Sequence, residues 1–243
     1  MDLGGKTGIV TGASSGIGAA TVRALREAGV RVAGGARRVE RIEADLALPL
    51  DVTDEESCAA FVTRVADEFG GIDVLHANAG LALGRYPYWE STPEDEATVM
   101  RVNVEGAMRM TRLTLPHLRD GGHLVFTGSV AGRQAYQNAA SYVAAKFALR
   151  GFVYALREDL LGRPIRITTV DAGLTETEFS LVRFGGDAEL AKAVYAGVDP
   201  LTPEDVAACV LFALTRPLHV NVDELVVKAL QQSSGGRIVR REE

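Results

Sequence analysis

Thr11-Gly12-Ala13-Ser14-Ser15-Gly16-Ile17-Gly18 follows the short apolar run Thr7 to Thr11 and leads into the helical stretch Ala19 to Ala28. Glycines at a strand-to-helix turn let the backbone come close to a pyrophosphate, and the first N–H groups of the helix then face that anion. A turn of the same composition that binds nothing is common. Its place at the start of a strand–helix–strand unit is what favours a dinucleotide, with Gly12, Ser14, Ser15, Gly16, Ile17 and Gly18 as the expected contacts. No lysine lies between Gly12 and Gly18, which excludes the phosphate loop of nucleoside-triphosphate hydrolases. Gly29 supplies the left-handed residue that ends the helix before the next strand.

Outward from this turn, short β-branched or apolar runs alternate with longer segments of helical period. Strands are expected at Thr7 to Thr11, Arg31 to Gly35, Leu46 to Leu50, Ile72 to Ala77, His123 to Gly128, Ile165 to Val170 and Glu224 to Ala229. Helix starts are signalled by a capping box at Thr53 and Glu56, and by Thr92-Pro93 and Thr202-Pro203. The pattern predicts an α/β fold: one Rossmann-type doubly wound parallel sheet of about seven strands with helices on both faces. It forms a single domain over residues 1–243, with 231–243 as a flexible tail. Only twelve residues separate Arg38 from Asp51, so the helix after the second strand must be abbreviated.

A formal charge of -6 gives no drive toward nucleic acid or anionic lipid, and 47% hydrophobic with 24% charged residues is ordinary for a soluble globular chain. The longest apolar run, Val206 to Leu214, is far short of the roughly 18 residues a membrane span needs. Cys58 and Cys209 sit apart in apolar helical patterns and read as small hydrophobes in a reducing compartment. The N-terminus reaches Gly8-Ile9-Val10 with no room for a signal peptide, so a cytoplasmic location is expected. His76, His117, His123 and His219 lack ligand spacing, and no catalytic metal is expected.

At the end of the second strand stands Ala36-Arg37-Arg38, with no acidic residue to bind a ribose 2′-hydroxyl. Two guanidiniums there suit a 2′-phosphate, which favours NADP(H) over NAD(H). The alternative is that they merely solvate a helix start. Tyr142 and Lys146 are four residues apart and share a helix face, where an ammonium draws a phenol pKa down into acid/base range. An exposed aromatic beside a solvated lysine has the same spacing. Ser129 ends a predicted strand, where α/β sheets place their ligand cleft; a simple turn cap is the competing reading. Asn103 lies inside the helical stretch Pro93 to Leu115, where asparagine needs a reason such as a kink or a bound water.

Taken together, the glycine pattern, Asn78-Ala79-Gly80 after the fourth strand, Asn103, Ser129, Tyr142 and Lys146 resemble the short-chain dehydrogenase/reductase family over essentially the whole chain. The resemblance implies that Tyr142 is the general acid/base, that Ser129 orients the substrate oxygen, and that Lys146 binds the nicotinamide ribose and lowers the tyrosine pKa. It implies a proton-relay water at Asn103 and adenine contacts from Asp51 and Val52. The cofactor region would be fixed by Asn78, Ala79 and Gly80, with Thr175 and Thr177 at the nicotinamide or pyrophosphate. It also implies a homo-oligomer, tetramer or dimer, built on the helices carrying Asn103 and Tyr142. Ala77 and Asp171-Ala172-Gly173 depart from the family pattern, so the loop beside the nicotinamide is expected to differ in shape and Asp171 to add a charge there.

The C-terminal part, with Glu178 to Asp187 and Leu218 to Val222, resembles the 3-hydroxy acid and serine dehydrogenase branch. That suggests a small β-hydroxy acid or its semialdehyde as substrate, with Arg183 as the carboxylate partner because its planar fork matches that group. A broad-specificity carbonyl reductase is the alternative. A dinucleotide-sensing binding protein on the same fold is a further one, and it would not require Asn103, Ser129, Tyr142 and Lys146 together.

Overall fold

β1 (Thr7–Thr11) is buried along its whole length and pairs in parallel with β2 (Arg31–Ala36) on one side and β4 (Ile72–Ala77) on the other. In this computed structural model, which describes residues 1–241, it is the third strand of a seven-stranded sheet ordered β3-β2-β1-β4-β5-β6-β7, next to the central β4. The remaining strands are β3 (Leu46–Pro49), β5 (Leu118–Thr127), β6 (Arg166–Ala172) and β7 (Glu224–Val227). All pairings are parallel. The strand order reverses between β1 and β4, so the connections leaving their C-terminal ends part to opposite sides and leave a crevice outside them.

The period-2 alternation of the strands divides the core. Ile9, Leu124 and Phe126 face one side, where they pack with residues of α2 (Glu55–Phe69), α4 (Gly106–Thr114) and α5 (Ala140–Asp159). Val10 and Val125 face the other, against α1 (Gly16–Glu27) and α8 (Pro203–Leu214). The short helices α3 (Pro93–Met100) and α6 (Glu178–Arg183) line the crevice, and α7 (Ala188–Ala193) packs against α6.

Several boundaries differ from the sequence reading. β5 begins at Leu118 rather than His123, because a register irregularity opposite Ile72 and Val74 lets the Gly121-Gly122 turn stay within the strand. β6 continues to Ala172 and pairs with β7 as far as Val227; alanine, unlike proline, keeps the N–H of a strand residue. The expected Thr53–Glu56 capping box is replaced by Asp54, whose carboxylate accepts from the Glu56 and Ser57 amides, while the Thr53 hydroxyl donates to Asp51 instead. The threonines at 92 and 202 do cap their helices, the latter in a full capping box with Asp205. Between Arg38 and β3 there is one short helical turn, Val39–Arg41.

Residues 231–241, read from sequence as a tail, fold back over the crevice. Gln232 pairs antiparallel with Ile238, and its amide oxygen accepts from Leu174 N at 2.7 Å. Gly235 and Gly236 lie flat on Tyr136, where an added Cβ would come within 2.6 and 2.8 Å of the ring side chain. Residues 242 and 243 of that segment lie outside the described residues.

Candidate active site

A groove of about 930 Å³ runs along the C-terminal ends of the strands. At its centre, Gly12 and Gly16 have positive φ (67° and 53°), the turn that brings β1 into α1. Gly18 is demanded by packing: a Cβ there would stand 2.2 Å from the Gly12 carbonyl oxygen. Ser15 is the N-cap of α1, yet no side chain caps the helix, so its first amides are open to an anion in the groove. The loop is braced from β4. Asn78 Nδ2 donates to Thr11 O, the Asn78 and Ala79 amides donate to Thr11 Oγ1, and Thr127 Oγ1 donates to Asn78 Oδ1, each at 2.9 Å. His76 completes this brace at 2.9 Å from Thr127 Oγ1; burial pushes its imidazole down to about 3, so it stays neutral.

At one end of the groove Arg37 and Arg38 follow β2, with Asp51 and Val52 opposite. Arg38 donates to Ser15 Oγ at 3.1 Å and pairs with Glu178 at 2.6 Å; Arg41 reaches the same carboxylate at 3.1 Å. The Arg38 guanidinium holds the Glu178 carboxyl below its ordinary range. Arg37 is exposed. Thr177 caps α6 and meets the glycine turn, its Cγ2 3.1 Å from where a Gly16 Cβ would lie. Thr175 lines the same wall.

At the other end, Ser129, Tyr142, Lys146 and Asn103 all line the groove. Asn103 sits in a five-residue π turn, Arg101–Glu105, between α3 and α4. Its Nδ2 donates to the Val99 carbonyl at 2.9 Å and to Leu81 O at 2.7 Å, which distorts the helix in the way the sequence suggested. Its Oδ1 is buried without a partner among the described residues and lies beside Gly80. Lys146 is only 6% exposed; its Nζ donates to Thr127 O at 2.9 Å, and burial pushes its ammonium down to about 8, opposed by the Asp171 charge.

Burial pushes the Tyr142 phenol up, and the Arg183 guanidinium and the Ser129 hydroxyl pull it back. The expectation was that Lys146 draws the phenol down; here the opposing groups are Arg183 and Ser129. The Lys146 ammonium lies 5.8 Å from the ring centroid, whereas the Arg183 guanidinium carbon lies 5.0 Å from it.

Asp171 adds a charge, as the sequence implied, but beneath the site instead of in the nicotinamide loop. Its Oδ1 would be 1.9 Å from a Cβ at Gly128, and its other oxygen pairs with Arg133. Arg133 also pairs with Glu224, which Arg150 and Tyr154 contact at 3.1 and 2.7 Å. Burial raises the Asp171 carboxyl while Arg133 opposes the rise. Sequence reasoning missed this network, Glu178 and Tyr136, because none stands in a recognisable spacing; only the unusual Asp171 hinted at it.

The short-chain dehydrogenase profile matches residues 6–183. The chain belongs to the short-chain dehydrogenase family. It is 40% identical to the NADP-dependent 3-hydroxy acid dehydrogenase of Schizosaccharomyces pombe, across 99% of this chain and 98% of that one. It is 37% identical to the serine 3-dehydrogenase of Agrobacterium fabrum, across 96% and 98%. Among solved structures, the closed form of a serine dehydrogenase complexed with NADP+ superposes with a TM-score of 0.91 at 36% identity, covering 97% of this chain and all of that one. The expected family, its branch and the single seven-stranded Rossmann-type sheet are thus found as read.

Proposed function

We propose that this protein is an NADP(H)-dependent dehydrogenase of small 3-hydroxy acids or the corresponding oxo acids and semialdehydes. One observation carries the reading: a single groove brings Asn103, Ser129, Tyr142 and Lys146 together at one end and ends at the other in Arg37 and Arg38, with no acid at the close of β2. The relatives named above, which are NADP-dependent or act on 3-hydroxy acids and serine, support it.

The residues fit the dinucleotide: the uncapped start of α1, the glycine at 18 that leaves room beside Gly12, and the two arginines would take its pyrophosphate and 2′-phosphate. When bound, NADP+ supplies the hydride acceptor, and NADPH the donor in reverse. Tyr142 takes the substrate hydroxyl proton as the carbinol is oxidised and returns it to the carbonyl oxygen in the reverse direction. Ser129 donates to that same oxygen. Lys146 would clamp the nicotinamide ribose, and the unpartnered Asn103 Oδ1 would accept from a relay water leading the proton away. Arg183 would receive the substrate carboxylate.

Two further assignments belong to this reading. A homo-oligomer formed through α4 and α5 would cover Met108, Phe147 and Tyr154, each more than 40% exposed on those helices. A cytoplasmic setting would suit two free cysteines, and no helix among the described residues is long and apolar enough to cross a membrane.

The test follows reduced-nicotinamide absorbance with 3-hydroxy acids, aldehydes and ketones, using NADP(H) and NAD(H) in parallel. NADP+-linked oxidation of a 3-hydroxy acid is the expected result. Activity spread evenly over unrelated carbonyls would replace this reading with a broad carbonyl reductase, and cofactor binding without turnover of any substrate would replace it with a dinucleotide sensor.

A further inference from the structure

Among the described residues, the only guanidinium against the ring of Tyr142 belongs to Arg183, the last residue of α6. Its guanidinium carbon stands 5.0 Å from the Tyr142 ring centroid and 5.0 Å from that of Phe179, and those two rings meet edge to face at 5.5 Å. One guanidinium nitrogen donates to the Tyr136 hydroxyl at 3.2 Å, and the Arg183 carbonyl accepts from Gly84 N at 2.9 Å. Nε is buried without a partner among the described residues. Among the described residues Arg183 has no carboxylate within ion-pair distance, in contrast to Arg38, Arg133 and Arg150. A cation wedged between aromatic rings with no counter-ion is placed to stabilise whatever anion forms beside it.

We propose that Arg183 is a positioning residue for the acid/base itself: its guanidinium supplies the fixed positive charge that supports the Tyr142 phenolate, in addition to any contact with a substrate carboxylate. This rests on the reading of Tyr142 as the proton carrier. The other groups around the phenol cannot take this part alone. Lys146, from α5, is the second cation, but its Nζ is bound to Thr127 O and burial pushes its ammonium down to about 8. Asp171, from β6, is an anion and works against the phenolate. Tyr136 and Ser129 are neutral donors, and Phe179 carries no charge. A guanidinium keeps its charge across the whole working range. Because Arg183 lies on α6 while Tyr142 lies on α5, any displacement of α6 carries that charge toward or away from the phenol.

The test is an ultraviolet titration of the cofactor-free protein, taken as the difference between each variant and the same variant carrying Tyr142→Phe, which isolates the Tyr142 phenolate. Arg183→Gln should raise the pH at which that phenolate forms by about one unit or more, the shift expected from removing a cation at this distance. Arg183→Lys should restore most of it. Arg183→Met retains the stem's packing against both rings and should reproduce the Gln result, so a folding defect in one variant does not decide the matter. With a neutral alcohol as substrate, the acidic limb of kcat should move in parallel. An unmoved phenolate titration in both charge-removing variants, with only KM for hydroxy acids raised, would overturn the proposal and leave Arg183 a carboxylate clamp. The titration needs neither cofactor nor substrate. A protein that turns over nothing would therefore defeat the proposed function and leave this coupling still measured.

Discussion

The two ends of the groove handle charge in opposite ways. At the adenosine end, Arg38, Arg41 and Glu178 have side chains 40% to 51% exposed, and their pairing is open to water. At the chemical end, Lys146 and Asp171 are buried at 6% and 2% exposure, and Tyr142 is shielded enough for burial to dominate its ionisation. Exposed charges are screened by salt and individually modest, whereas buried ones are set by desolvation and by a few fixed neighbours. The identity of a residue therefore says most at the first end, and its surroundings say most at the second.

The sharpest break of this contrast comes from removing the proposed proton carrier. Tyr142→Phe deletes a hydroxyl and leaves the glycine turn and the arginines untouched, so turnover should fall by roughly a hundredfold or more. NADPH affinity, read by fluorescence titration, should stay within about twofold of wild type, because the binding determinants lie elsewhere. Near-normal turnover would mean that the buried end is not where the chemistry is done.

A smaller effect is expected at the exposed end. Replacing Arg37 and Arg38 together by alanine should reduce the preference for NADPH over NADH, measured as a ratio of kcat/KM values, by about ten- to a hundredfold. Only NADPH carries the 2′-phosphate that the two guanidiniums would meet. The preference should also weaken with added salt in the wild type, and much less in the double variant. An unchanged ratio would reduce both arginines to solvating the turn at Val39–Arg41.

The same contrast explains what the sequence made legible. All seven strands were expected, most within a few residues, since each is a short β-branched or apolar run beside a turn signal, and the glycine turn announced itself by standing between β1 and α1. Asn103 was visible as a misfit in a helical stretch and proved to sit in a π turn. A kink was readable there, but its partner was not: the Leu81 carbonyl comes within reach only in the tertiary fold, a contact that no local pattern encodes. Arg183 was noticed for its fork but not for its place against Tyr142, since α6 and α5 are brought together only by the tertiary fold. The segment 231–241 showed no strand or helix period, and its docking rests on single contacts such as Gln232 to Leu174 and the glycine pair against Tyr136. At Thr53 a plausible capping box lost to the neighbouring Asp54, because the threonine hydroxyl had a better acceptor in Asp51 at 2.7 Å.

The smallest expected effect concerns Glu178, which tests whether the exposed end is as adjustable as its exposure implies. Its carboxylate now occupies Arg38 and Arg41, and Arg38 is one of the two groups offered to a 2′-phosphate. Two consequences of Glu178→Gln oppose each other. Removing the carboxylate frees Arg38 and takes away a negative charge that would repel the phosphate. It also releases a partner that keeps the Arg38 side chain ordered beside Ser15. Exposed pairs of this kind contribute about 0.2 to 1 kcal/mol, so neither consequence can be large. The electrostatic one should prevail because a doubly charged phosphate meets the lost carboxylate as a like charge. NADPH should therefore bind Glu178→Gln about two- to fivefold more tightly at low ionic strength, with NADH nearly unchanged and the gain fading as salt is added. Weaker NADPH binding in the variant would show instead that Glu178 serves chiefly to hold Arg38 in place, and the adenosine end would then resemble the chemical end in depending on a fixed neighbour.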